Sequence, residues 1–157
     1  MSELKKWGNI TWDLIHSIVV LCPADKFNDL RESIIGCIND ICCILPCPLC
    51  KDHASQYLRK VKWKTILTKD ALHAEIVNFH NNVNKRLSKK ELSASEAYAL
   101  YDRKNMREVG NLYGKYYTEM PKKGTPYALM TGTIKNEKLK LIRTFLNRNI
   151  GIYEKRM

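Results

Sequence analysis

Apolar residues recur along this chain at intervals of three and four. From Leu30 to Leu45 they fall at Leu30, Ile34, Cys37, Ile38, Ile41 and Leu45, which is one face of a helix. Trp12, Ile15, His16 and Val19 repeat the pattern before it, and Leu72, Ile76, Val77, His80, Val83 and Leu87 repeat it after. Ser93 with Glu96 forms the Ser-x-x-Glu signature that opens one more helix. Pro46, Pro48 and the Cys22-Pro23 step punctuate these runs, and no stretch alternates cleanly with a period of two. The spacing predicts an all-helical bundle of four or five helices with short connections.

At 157 residues the chain has the size of one domain, and 45% hydrophobic residues suffice for a real core. No apolar run approaches the ~18 residues needed to cross a bilayer. The opening MSELKKWGN lacks the apolar stretch of a secretory signal, so the expectation is a soluble intracellular protein with no membrane role. The net charge of +11 is uneven: residues 1–102 carry 14 Lys+Arg against 12 Asp+Glu, whereas residues 103–157 carry 13 against 4. That division predicts a functional domain over 1–102 and a basic extension over 103–157. Gly110, Gly114, Gly124, Gly132, Pro121 and Pro126 predict a looser extension, ending in one amphipathic helix through Leu139, Ile142, Phe145 and Leu146 after a cap at Asn136. Such a segment suits nucleic acid or another acidic partner.

All six cysteines, Cys22, Cys37, Cys42, Cys43, Cys47 and Cys50, fall within 29 residues, which is not how a secreted disulfide scaffold spreads its staples. The clustering points to redox or metal chemistry. In Cys47-Pro48-Leu49-Cys50, Pro46 is expected to end one helix and Pro48 to open the next, leaving Cys47 at a helix N-terminus that favours a thiolate. The spacing serves a redox pair and half of a metal site alike. Cys42, Cys43, Cys47, Cys50 and His53 would supply a zinc site, but no second Cys-x-x-Cys or His pair follows at finger spacing. A thioredoxin fold needs a strand where residues 30–45 have helical period.

Two further constellations carry polar or aromatic groups into apolar faces. His80, Val83, Asn84 and Leu87 share one side of a helix, a face suited to a polar, partly aromatic ligand; a hydrogen-bonded core histidine beside an Asn-rich helix end accounts for the same residues. Trp7, Gly8, Trp12 and His16 offer two indoles and an imidazole to a flat ring system, or two indoles that simply fill the core. No Gly-x-Gly-x-x-Gly opens a helix after a strand, and Gly110 to Lys115 has the wrong spacing for a P-loop.

Taken together, Trp-Gly-x-x-x-Trp-x-x-x-His, then Cys-x-x-Cys with His53 behind it, then His-Asn-x-Val-Asn-x-x-Leu resemble the Erv/ALR family of FAD-dependent sulfhydryl oxidases. The phrases from Leu45 to His53 and from Phe79 to Lys90 are most similar to versions encoded by large cytoplasmic DNA viruses. The resemblance covers residues from about 5 to 102 and implies an all-α fold, a four-helix bundle with a short fifth helix, FAD at its mouth and a homodimer. It implies that Cys47 exchanges with a protein dithiol, that Cys50 passes electrons to FAD, and that O2 receives them as H2O2. Trp7, Gly8, Trp12, His16, His53, Tyr57, His80, Asn81, Val83, Asn84, Lys85, Leu87 and Lys90 match family FAD contacts, with no metal. No cysteine shuttle precedes the domain and no cysteine pair follows His80, so a separate thioredoxin-like dithiol protein is the expected electron source. The viral likeness implies host cytoplasm at sites of virus assembly, and the virion. The competing class is a non-enzymatic, zinc-stapled helical binding module.

Overall fold

The computed structural model describes residues 3–119 and 126–155, and among these every regular element is helical. Helices α1 (Glu3–Val20), α2 (Phe27–Cys43), α3 (Pro48–Lys60), α4 (Lys69–Arg86) and the short α5 (Ala94–Tyr101) follow one another closely, with 3-10 turns at Ala24–Lys26 and Trp63–Thr65. This is the bundle with a short fifth helix that spacing and resemblance predict. None of the described helices is long and apolar enough to cross a membrane.

Local chemistry sets the boundaries. Thr68 Oγ1 accepts from the Ala71 amide at 3.1 Å, and Ser93 Oγ accepts from Glu96 at 3.1 Å, so the expected cap at Ser93 is present. Each such cap stabilises its helix by about 1 kcal/mol. Because Pro46 bars its predecessor from helical geometry, α2 stops at Cys43, and Leu45 is buried beyond the helix end rather than on its stripe. Leu87 also leaves the stripe assigned to it: it is the C-cap of α4 and 57% exposed. The core is built from Leu14, Ile15 and Ile18 on α1, Ile34, Ile38 and Ile41 on α2, and Leu72 and Ile76 on α4. Each stabilises the fold by roughly 1.5–3 kcal/mol when fully buried. The Arg31 guanidinium donates to the carbonyls of Trp63 and Ile66, tying the α3–α4 connection to α2.

Residues 103–157 correct the expectation of a loose extension. Helix α6 (Met106–Glu119) packs on α1, α7 (Pro126–Glu154) packs on α2, and the two pack on each other. Val109, Tyr113, Tyr117, Ile142, Phe145 and Tyr153 join the same core as α1 to α4. Gly110 and Gly114 break nothing. A Cβ at Gly110 would meet Leu146 Cδ1 at 3.2 Å, so its absence lets α6 approach α7, and that packing offsets the poor helix propensity of glycine. Gly132 lies within α7, and Asn136 is no cap because α7 already begins at Pro126, a residue suited to a first turn. Pro121 and Gly124 lie outside the described residues. Some of the segment's positive charge is used internally: Lys104 pairs with Asp13 at 3.4 Å, Lys138 with Asp40 at 3.0 Å and Arg107 with Glu154 at 2.6 Å.

Candidate redox site

Cys47 is the N-cap of α3, with φ −105° and ψ 114°, and Pro48 follows in the first turn. Its Sγ accepts a hydrogen bond from the Cys50 amide at 3.3 Å, satisfying one of the N–H groups that a helix start leaves unpaired. Cys50 therefore sits one turn in, on the same side. Desolvation, then hydrogen bonding and charge from Cys47, push the Cys50 thiol up to about 11, against the opposing cation of Arg86. Leu49, between the two cysteines, is 64% exposed and offers an apolar contact beside the dithiol. The remaining thiols differ from this pair. Cys22, Cys37 and Cys42 are buried and desolvation raises all three, Cys22 to about 11, while Cys43 is exposed at the end of α2.

Trp12 and His16 from α1 meet Phe79 and His80 from α4 and Tyr101 from α5. The Trp12 and His80 rings stack at 3.9 Å and 8°, and His16 stacks on Tyr101 at 4.1 Å and 3°. Phe79 meets the Trp12 ring edge to face at 5.2 Å. His16 Nε2 lies 2.9 Å from His80 Nδ1, a distance that requires one protonated nitrogen and one lone pair. Burial, aided by Lys89, lowers His80 to about 4, and burial with the neighbouring His80 and His73 holds His16 well below 6.5. The pair is thus neutral at pH 7. His16 Nδ1 is buried with no hydrogen-bond partner, an open valence in an otherwise closed cluster.

The other residues singled out in the sequence fall in three places. His53 and Tyr57 line a cleft of about 680 Å³ between α3 and α4, shared with Lys60, Lys62, Glu75 and Arg86; Tyr57 donates to Glu75 at 2.9 Å, and His53 Nδ1 is buried without a partner. Trp7 is buried against α6, whereas Gly8 is half-buried with nothing within 4 Å of where a Cβ would stand. Asn81 and Asn84 turn to the loop after α4. The Asn81 amide donates to Leu92 O at 2.7 Å and accepts from Leu92 N at 2.8 Å, and Asn84 donates to Lys90 O at 3.2 Å. These bonds hold a bend in which Ser88 has φ 54°. Val83 packs against the core, Lys85 pairs with Glu91 at 3.4 Å, and Leu87 and Lys90 are exposed.

Phe79, Arg86, Tyr101 and Tyr117 were not singled out from the sequence. Tyr101 had a usable signal, since it follows the buried Ala97 by four residues in a helix opened by a recognisable cap. Arg86 had none, because its approach to Cys50 depends on how α4 lies against α3. Among the described residues no three His, Cys, Asp or Glu side chains stand close enough together to hold a metal, so the ligands required by the zinc-stapled alternative are not assembled.

The fold is an all-helical bundle in which the first of two thiols one turn apart caps a helix. The Erv1/Alr family model matches residues 9–105, and the chain belongs to that family. An African swine fever virus protein (isolate Pig/Kenya/KEN-50/1950) named FAD-linked sulfhydryl oxidase is 34% identical over 110 residues, 69% of this chain and 89% of the relative. The 096R protein of Invertebrate iridescent virus 3, carrying the same enzyme name, is 32% identical over 103 residues, 62% of this chain. The aligned part spans 66% of that relative's length. No solved structure matches the chain.

Proposed function

We propose that the chain is an FAD-dependent sulfhydryl oxidase in which Cys47 and Cys50 are the redox pair. The observation that carries this reading is the capping geometry of Cys47, with Cys50 one turn behind it and facing Arg86 at the end of α4. In the oxidised form a thiolate of the substrate dithiol attacks Cys47 Sγ and displaces Cys50. The second substrate thiol then attacks the mixed disulfide, which releases oxidised substrate and leaves Cys47 and Cys50 reduced. Bound FAD would supply the two-electron acceptor for the reduced Cys47–Cys50 pair and the route to O2, so that one dithiol and one O2 would yield one disulfide and one H2O2.

The residues fit such a cofactor. Lys60, Lys62 and Arg86 line the α3–α4 cleft with one carboxylate, Glu75, a balance of charge that suits a diphosphate. Trp12 stacks on His80 and the fully buried His16 stacks on Tyr101, so a flat ring would contact the accessible side of half-buried Trp12, with His16 behind it. Leu49 receives the apolar side of an incoming protein dithiol, a thioredoxin-like shuttle in this reading. Family likeness extends the proposal to a homodimer acting in host cytoplasm at sites of virus assembly, which sedimentation and fractionation test. The decisive experiment is purification of the chain followed by oxygen uptake with dithiothreitol. A yellow protein that forms one H2O2 per dithiol is expected; a colourless protein that stays inert after FAD is added refutes the reading.

A further inference from the structure

Helix α6 lies beyond the matched family segment, yet it reaches both ends of the proposed centre. Tyr117 is 2% exposed, and its hydroxyl donates to the Ile44 carbonyl at 3.0 Å while accepting from the Trp7 indole Nε1 at 3.3 Å. One hydroxyl has a single proton to give and lone pairs to receive, so both bonds form together. Ile44 is the C-cap of α2, three residues before Cys47, and its buried carbonyl belongs to the last turn, where helices leave acceptors unpaired. Leu45, next in the chain, is buried as well. The backbone leading to the capping cysteine is therefore held from α6. The Tyr117 ring is itself fixed, with Tyr113 at 4.6 Å and the Lys135 ammonium of α7 5.5 Å from its centroid.

We propose that Tyr117 is a positioning residue of the redox centre: it fixes the segment that presents Cys47 and links that segment to Trp7, so that α6 and α7 tune the thiol–disulfide equilibrium of the Cys47–Cys50 pair. The proposal rests on the reading of these two cysteines as the redox pair. Loss of the Tyr117 hydroxyl frees the Ile44 carbonyl and the segment that presents Cys47, and so shifts the thiol–disulfide equilibrium of the pair.

The test compares Tyr117→Phe with Tyr153→Phe in the full chain. Tyr153, also buried and in the same extension, donates to Ile18 O at 2.6 Å, eleven residues along α1 from Trp7 and so about 16 Å away along the helix. Each variant is equilibrated with glutathione buffers, quenched by alkylation, and resolved by the mass of the Cys47–Cys50 peptide, with a parallel thermal melt. Both melts are expected to fall alike. Only Tyr117→Phe is expected to move the equilibrium, by about threefold, roughly 14 mV for a two-electron couple. A shift no larger than that of Tyr153→Phe overturns the proposal and leaves Tyr117 a brace of the fold. Should Tyr117→Phe not fold, Trp7→Phe, which removes the donor to the hydroxyl together with part of a buried ring, decides by the same assay: a change in the equilibrium beyond that of Tyr153→Phe supports the link and none overturns it. A wild-type pair that forms no disulfide at any glutathione ratio refutes the redox-pair reading itself, a result distinct from an unmoved variant.

Discussion

Lowering the pH from 7 to 5 is expected to destabilise the folded chain through the buried pair His80 and His16. In the unfolded chain this imidazole titrates near 6.5; in the fold, burial and the cation of Lys89 bring it to about 4. His16, 2.9 Å away, is lowered in the same direction by burial, by His80 and by His73, and the rings facing the pair, Trp12 and Tyr101, carry no charge at these pH values. Both folded-state values lie below the unfolded ones, so between about pH 6.5 and 4 the unfolded chain binds more protons and stability is lost as the pH falls. At about 1.36 kcal/mol per unit, His80 alone contributes about 3 kcal/mol over the whole window and about 2 kcal/mol between pH 6.5 and 5. With a urea slope of about 1–3 kcal/mol/M, the midpoint should drop by about 1 M between pH 7 and 5. Urea titrations followed by far-UV circular dichroism at pH 7, 6 and 5 measure this in the wild type and in His80→Gln. The variant starts less stable because the Trp12 stack is lost, but its midpoint should fall less, since His16 alone of the pair remains to take up a proton. Equal falls in the two proteins would refute the account of His80 as a histidine that the fold keeps neutral.

Cys47→Ser and Cys50→Ser should each abolish oxygen uptake with dithiothreitol. Offered a substrate disulfide, only Cys50→Ser should trap a mixed disulfide, because the half-buried Cys47 thiolate remains to open it while Cys50, which would release it, is gone; a trap in Cys47→Ser alone would reverse the roles. Trp12→Ala should stay helical yet retain much less FAD after gel filtration, and full flavin occupancy would remove Trp12 from the cofactor site. Truncation after Asp102 deletes the buried side chains of Tyr113, Tyr117, Ile142, Phe145 and Tyr153. At roughly 1.5–3 kcal/mol each, that loss rivals the 5–15 kcal/mol by which a domain is stable. A truncated chain that still melts cooperatively would show that α6 and α7 are dispensable.

The elements legible in the sequence are those whose evidence is local. Helices α2 and α4 announce themselves because one buried stripe recurs at helical spacing, and the Cys47 cap because Pro48 and the unpaired amides of a first turn act within four residues. What escapes is whatever depends on which helix faces a given stripe. Gly110 reads as a breaker by propensity, and only the 3.2 Å approach of Leu146 shows why a helix keeps it there. Asn81 and Asn84 illustrate the same limit at the site. Two amides on a half-apolar face need partners, and the need is visible in the sequence, but a ligand and a neighbouring loop satisfy it equally well. Here the Leu92 and Lys90 backbone supplies those partners. These asparagines can thus shape the proposed FAD site by fixing the loop after α4 without touching the cofactor. Tyr117 is the converse case: nothing within α6 marks its hydroxyl as part of a redox centre, because the Ile44 carbonyl and the Trp7 indole it joins lie 73 and 110 residues away in the chain.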